Sequence, residues 1–291
     1  MIKKPIVAGI GELLWDMLPA GKQLGGAPCN FAFHAMQAGC ESYVISAIGQ
    51  DELGTELIKT LNHLGLSDQY IQKNSFPTST VTIKLDDQGH PDYTIHEQVA
   101  WDHIQWNAQI EKLAGELDAV CFGSLAQRSF ESEHSVVSLI SATKPGCLKV
   151  FDINLRQHYY TKEIIIQSIN LSDVLKLNED ELPVVAGYTG LSGDIRSQLT
   201  QLLKQFNLRY IVYTMGSKGS IIVSADEYSF IEAPRIRVTD TVGAGDAFTA
   251  VFIAGLLKGY PLTEVHQKAA EIAALVCTKK GATPKLSIFI F

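Results

Sequence analysis

The segment richest in chemistry is Thr239–Phe252, T-D-T-V-G-A-G-D-A-F-T-A-V-F. Three small residues, Gly243, Ala244 and Gly245, lead into an apolar stretch that runs to about Lys258, and Asp246 falls in its first turn. The stretch reads as a helix. Its first N–H groups lack intrahelical partners and lie at the positive end of the dipole, so small residues there let a phosphate approach the backbone. A carboxylate at the same turn can take a proton from an attacking hydroxyl while the N–H groups hold the migrating charge. An acidic residue placed favourably at a helix start explains the same pattern without any chemistry. Against that, Phe248, Val251, Phe252, Ile253, Leu256 and Leu257 make the helix apolar nearly all round and therefore buried. A carboxylate at the mouth of a buried helix is costly unless it has partners or work.

A second constellation lies near the N-terminus: G-G-A-P-C-N-F-A, Gly25 to Ala32, with further glycines at Gly39 and Gly49. Alone, a glycine pair before a helix is common loop punctuation. Other nucleotide and hydrolase signatures are missing. There is no G-x-x-x-x-G-K-[ST], Gly9-Ile10-Gly11 lacks the third glycine of a dinucleotide fingerprint, and neither H-E-x-x-H nor G-x-S-x-G occurs.

The elements that must position these residues alternate along the chain. Short β-branched runs at Ile6–Gly9, Tyr43–Ile48, Ala119–Phe122, Lys149–Asp152, Val174–Leu177, Tyr210–Thr214 and Ser220–Val223 read as strands. Helical patterns fall between several of them. One is Asp51–His63, with Asp51 as N-cap and Leu53, Leu57, Ile58 and Leu61 on one face; another is Gln198–Phe206. Strands separated by helices predict βαβ units and a mostly parallel central sheet covered on both sides. Residues 78–96 break the rhythm. Val81, Ile83 and Leu85 alternate with polar residues, a D-D-Q-G-H-P turn follows, then Tyr93–His96, which predicts a β-hairpin. It reads either as an edge decoration or as part of a small β-sheet lid built from about 12–24 and 78–100. Ser287–Phe291 reads as a closing strand or a packed tail.

At 291 residues the chain can bury a full core, and its 46% hydrophobic and 19% charged content is that of a globular protein. The net charge of −7 argues against broad nucleic-acid binding, which needs a basic face. Cys29, Cys40, Cys121, Cys147 and Cys277 are scattered, with no C-x-x-C, and read as free thiols in a reducing compartment. Glu12 and Asp16 interrupt the only signal-peptide-like stretch, and no apolar run approaches the ~20 residues of a membrane span. A cytoplasmic location is expected.

Taken together, the two glycine-rich motifs make the chain resemble the ribokinase-like carbohydrate kinases, the phosphofructokinase B family. Gly25, Gly26, Asn30, Ala32, Gly39 and Gly49 match the first signature of that family, and Asp240 through Ala250 the second, which departs at Val251 where a smaller residue is preferred. Asp16 in G-E-L-L-W-D, then N-E-D-E (Asn178–Glu181) and T-M-G-S-K-G (Thr214–Gly219), follow in family order, so the likeness spans nearly the whole chain as a single kinase domain. It implies an ATP- and Mg2+-dependent enzyme with a sugar substrate. Asp246 would be the catalytic base, with the Gly243–Ala244–Gly245 turn as anion hole. Asp16, Gly26 and Asn30 would hold sugar hydroxyls. Asn178 and Glu181 would lie near the phosphates, Glu181 reaching Mg2+ through water. Thr214, Gly216 and Gly219 would line the nucleotide, and Ala282, in Gly281–Pro284, would sit beside adenine. Asp240 and the Val242 carbonyl resemble the family's monovalent-cation site, for which K+ is a candidate. The apolar hairpin invites a homodimer through the lid.

G-E-L-L-W-D-M-L-P, F-G-S-L-A-Q-R and D-I-N-L-R look most like fructokinases. Arg156, at a strand's C-terminal end, would meet the sugar or the transferred phosphate; a surface ion pair is the alternative. Kinases of 2-keto-3-deoxygluconate and ribose stay open as alternatives. A kinase of an already phosphorylated sugar would need more positive charge than Lys22 supplies near the glycine pair. A non-catalytic ligand-binding protein on the same fold would have lost Asp246 or its turn, and both are present.

Overall fold

The computed structural model describes residues 3–18, 21–85, 91–286 and 290–291. Nine strands form the large sheet: β1 (Ile6–Ile10), β4 (Glu41–Gly49), β5 (Ile71–Asn74), β8 (Ala119–Phe122), β9 (Leu148–Asp152), β10 (Val174–Asn178), β11 (Tyr210–Thr214), β12 (Ser220–Val223) and β13 (Tyr228–Ile231), in the order β13-β12-β11-β10-β9-β8-β1-β4-β5. Every pairing from β5 to β11 is parallel, and β12 and β13 close one edge antiparallel. The seven strands expected from the sequence are all present within two residues at each end. β1 pairs with both β4 and β8, so the chain runs outward first on one side of β1 and then on the other. Such a switch point opens a crevice at the carboxyl ends of the strands.

Alternation along the strands sorts the two largest of three core clusters onto opposite faces of the sheet. Val7, Ala119, Cys121, Val150, Val174 and Val212 face α1 (Ala27–Gln37), α8 (Ala244–Leu257) and α9 (Leu262–Cys277). Ala8, Ile10, Val120, Phe122, Phe151, Leu175 and Leu177 belong to the opposite layer, with α3 (Ala108–Ala114), α4 (Phe130–Ala142), α5 (Lys162–Asn170), α6 (Glu181–Thr189) and α7 (Ile195–Gln205). The nine residues Ala247–Gly255 of α8 are all buried, as its all-round apolar sequence requires.

α2 (Glu52–Leu64) begins where Asp51 accepts the Gly54 N–H at 2.7 Å, as expected of an N-cap. α7 starts three residues earlier than its apolar pattern suggested, because Asp194 caps it through the Ser197 N–H at 2.8 Å. At the C-terminus, Ile290 is buried and Phe291 stacks on Tyr260; residues 287–289 of the expected terminal segment lie outside the described residues.

A second, smaller sheet stands apart: β2 (Leu14–Leu18), β3 (Gly21–Gly25), β6 (Ser79–Leu85) and β7 (Pro91–Ile95), in the order β3-β2-β6-β7. The hairpin read from the sequence is its β6–β7 pair, and the turn at 86–90 lies outside the described residues. The extended segment near 12–24 supplies β2 and β3, antiparallel to each other, while β2 runs parallel to β6.

Candidate active site

Asp246 sits in the first turn of α8, half-buried, and Asn30 on α1 donates its Nδ2–H to Asp246 Oδ2 at 2.8 Å. The turn before it is shaped by Gly243, whose φ of 78° is left-handed and whose missing Cβ would fall 2.6 Å from the Ala282 carbonyl oxygen. Only glycine fits there. Burial pushes the Asp246 carboxyl up to about 6, and the negative charge of Asp152 adds to this, while the Asn30 hydrogen bond, Lys176 and Arg156 pull it back. Such a group is mostly ionised at neutral pH yet more basic than an exposed aspartate, the property a general base needs.

The sheet beneath supplies what the sequence reading missed. Asp152, the last residue of β9, and Lys176, in the middle of β10, lie on the face toward α8, in phase with Val150 and Val174. Both are buried, and Lys176 Nζ donates to Asp152 Oδ1 at 2.9 Å. Burial opposes the charge on Lys176, but Asp152, then Glu181 and Asp246, outweigh it and raise its pKa. A Cβ on Gly245 would lie 3.2 Å from that ammonium, so the cation stands directly under the anion-binding turn. Thr249 Oγ1, one turn along α8, donates to the Gly245 carbonyl at 3.0 Å. Lys176 was legible only as a charge inside an apolar V-L-K-L-N run. Asp246, Asp152, Thr249, Gly123, Ala27 and Pro28 line one small cleft.

Asp16 lies on β2, opposite Gln23 of β3, with its Oδ2 close against Gly25. Burial raises its carboxyl to about 6; Arg156 opposes this and Asp240 adds to it. Gly26, with φ 116°, is the N-cap of α1. Arg156 follows β9, is exposed, and donates to the Leu155 carbonyl at 3.2 Å. Its charge reaches Asp16 and Asp246 together, lowering both carboxyls against their burial.

Asn178 and Glu181 form a reciprocal cap on α6. Asn178 Oδ1 accepts the Glu181 N–H at 3.0 Å, and Glu181 Oε2 accepts the Asn178 N–H at 2.8 Å. Glu181 Oε1 accepts the Leu155 N–H at 3.1 Å, and burial raises its carboxyl although Lys176 opposes. Thr214 is the register partner of Asn178, and the Gly216–Gly219 turn after it is closed by the Met215 N–H donating to the Gly219 carbonyl at 2.9 Å. Asp240 Oδ1 accepts the Val242 N–H and its Oδ2 the Gly281 N–H, both at 3.0 Å, so one carboxylate ties the two loops beside the α8 turn. Ala282 is buried against Gly243, and its carbonyl accepts a hydrogen bond from His34 Nε2 at 2.8 Å. Residues 280–283 also line, with Trp15, Lys22 and Gln23, a crevice of about 410 Å³ below the small sheet.

The structure thus brings Asn30 against Asp246 and Ala282 against Gly243 at the start of α8, with Asp240 adjoining through its loop bonds, and sets the Asn178 and Thr214 group at the ends of β10 and β11. Comparison with known proteins shows the family. A family model described as pfkB family carbohydrate kinase matches residues 19–288. The fructokinase of Escherichia coli is 28% identical, over 95% of this chain and 94% of its own. An ATP-dependent 6-phosphofructokinase of Thermoanaerobacterium thermosaccharolyticum is 27% identical, over 96% and 90%. The solved structure of a sugar kinase from Pyrococcus horikoshii in complex with ATP superimposes with a TM-score of 0.79 at 27% identity, covering 95% of this chain and 94% of that one.

Proposed function

Because this chain belongs to the pfkB family of carbohydrate kinases, on a ribokinase-like α/β fold, we propose that it transfers the γ-phosphoryl group of ATP to a hydroxyl of fructose. The observation that carries the reading is the Asn30–Asp246 pair at the mouth of α8, a base with a raised pKa in the first turn of that helix. Asp246 takes the proton of the sugar hydroxyl as that oxygen attacks in line. The Gly243–Gly245 turn, with Lys176 beneath it, holds the charge that develops on the phosphoryl oxygens. Asp16, Gly26 and Asn30 orient the sugar, and Arg156 faces it from the end of β9. The small sheet acts as a lid that keeps water from competing for ATP.

Mg2+ bound with the nucleotide would neutralise phosphate charge, with Glu181 the residue placed to hold it. Both Glu181 oxygens already accept backbone N–H groups, which suits contact with the ion through water and not direct ligation. Asn178, Thr214, Gly216 and Gly219 line the nucleotide path. Asp240 and the Val242 carbonyl form the candidate seat for K+, where a bound cation would stiffen the loop that fixes Gly243.

A phosphorylated sugar as acceptor is disfavoured, because Lys22, which lies near the glycine pair, is engaged by Glu56. The test is ADP release with Mg·ATP against fructose, ribose, 2-keto-3-deoxygluconate, adenosine and fructose 6-phosphate. Turnover on fructose well above the other four is expected. Preference for another acceptor discards fructose, and silence on all five in the presence of K+ discards the panel and leaves a sugar outside it or a non-catalytic ligand-binding protein as the next reading.

A further inference from the structure

Glu12 takes no part in the scheme above, yet it is an acid with only 3% of its surface exposed, in the loop between β1 and β2. Its Oε1 accepts the N–H of Ala27, the first residue of α1, at 3.1 Å. Its Oε2 is buried without a hydrogen-bond partner. The backbone is engaged too: a Cβ on Gly26 would lie 2.3 Å from the Glu12 carbonyl oxygen. Glu12 therefore grips the Gly26–Ala27 turn from two sides. Helix α1 has no side-chain cap of its own, and Pro28 in its first turn brings no N–H to the site. Ordinary capping is done by a short polar side chain at the helix end, so a buried glutamate reaching in from another loop is an expensive way to start a helix.

The turn it grips carries Asn30. The Asn30 N–H donates to the Gly26 carbonyl at 3.0 Å, and its side chain donates to Asp246 at 2.8 Å. Asn30 Oδ1, like Glu12 Oε2, is buried and lacks a donor. Contacts thus run from Glu12 through Ala27 and one helical turn to Asn30 and on to Asp246.

Resting on the sugar-kinase reading, we propose that Glu12 is a positioning residue for the acceptor site: its carboxyl oxygen fixes the first turn of α1, so that Asn30 meets the sugar and Asp246 together. What matters is the reach of the side chain, not its charge. Two substitutions separate these. Glu12→Gln keeps an acceptor oxygen at the same distance and loses the charge. Glu12→Asp keeps the charge and withdraws the oxygen from Ala27 by one methylene.

The experiment measures D-fructose binding by calorimetry, or binding of whichever sugar of the panel the wild type takes, together with kcat and the KM for ATP. Loss of one buried hydrogen bond predicts about a tenfold weaker sugar affinity and lower kcat for Glu12→Asp. Glu12→Gln should stay within about threefold of wild type, with the KM for ATP unmoved in both, since differences below tenfold are under about 1.4 kcal/mol. Wild-type behaviour of Glu12→Asp overturns the proposal, and so does a Glu12→Gln protein as impaired as Glu12→Asp, or an ATP KM that moves as far as the sugar's. A wild type that binds sugar without turnover sinks the kinase reading alone, since the affinity comparison still decides the role of Glu12.

Discussion

Replacing Asp246 by Asn exchanges one carboxylate oxygen for an NH2 group, and the structure predicts opposite signs for activity and stability. The new side-chain carbonyl can still accept the Asn30 Nδ2–H, so the α1–α8 contact survives. The base is gone, and kcat should fall by roughly 10²–10⁴-fold. Stability moves the other way. The carboxyl titrates at about 6 in the folded protein against an ordinary 3.8. An acid whose folded pKa is raised contributes stability that is complete below its unfolded pKa and lost as pH rises through the folded value. At pH 8 the ionised side chain therefore costs the fold at most about 3 kcal/mol, from a shift of about two units. Removing the charge should raise the unfolding free energy by about 1–3 kcal/mol, which is a few degrees in Tm for a chain of this size. Near pH 3 the difference should vanish. Steady-state ADP release and scanning calorimetry at pH 8 and pH 3 measure both signs. A kcat within a few-fold of wild type refutes the base assignment, and a lower Tm at pH 8 refutes the burial argument.

The same sign applies to the other raised acids of the site. Glu12 and Asp16 are raised to about 7 and 6, so each withdraws stability as pH climbs from about 4 to 7.5, while the buried His34 and His266, lowered to about 4, restore some of it; urea melts of Glu12→Gln and Asp16→Asn should show less loss over this range than wild type, and profiles identical to wild type would contradict this. Gly243→Ala forces a Cβ against the Ala282 backbone at a left-handed φ, and should cost about 1–3 kcal/mol and weaken nucleotide binding, read from urea midpoints and ATP titration. Lys176→Met strands Asp152 as a buried, unpaired charge and should destabilise by about 3–5 kcal/mol, with Lys176→Met/Asp152→Asn recovering part of the loss; equal melting of the single and double variants would mean the pair is not coupled.

What could be read from sequence was local. The α8 motif carries its own geometry: small residues, an acid, then an apolar helix, all within fourteen positions. The strand runs were legible because a parallel sheet covered on both faces needs unbroken apolar segments. The hairpin at β6–β7 was legible through its alternation. The partnership of that hairpin with β2 was not, since nothing in either segment names a parallel neighbour 65 residues away. The Asn30–Asp246 bond spans 216 residues and is visible only once α1 and α8 pack together. Glu12 and Lys176 were hidden for another reason. Each is a single charge in an apolar run, which composition alone treats as an interruption; only the fold shows what each one faces.

The small sheet also has a history in time. β2 and β3 are synthesised first and can pair with each other, while β6, the strand that covers β2's open edge, is made about 60 residues later. At translation speeds of about 5–20 residues per second, that edge waits several seconds for its partner. An exposed strand edge is a template for other chains. The sheet that would shield the sugar from water is thus one of two places where a nascent strand edge waits for cover, the other being β1, whose partner β8 follows 112 residues later.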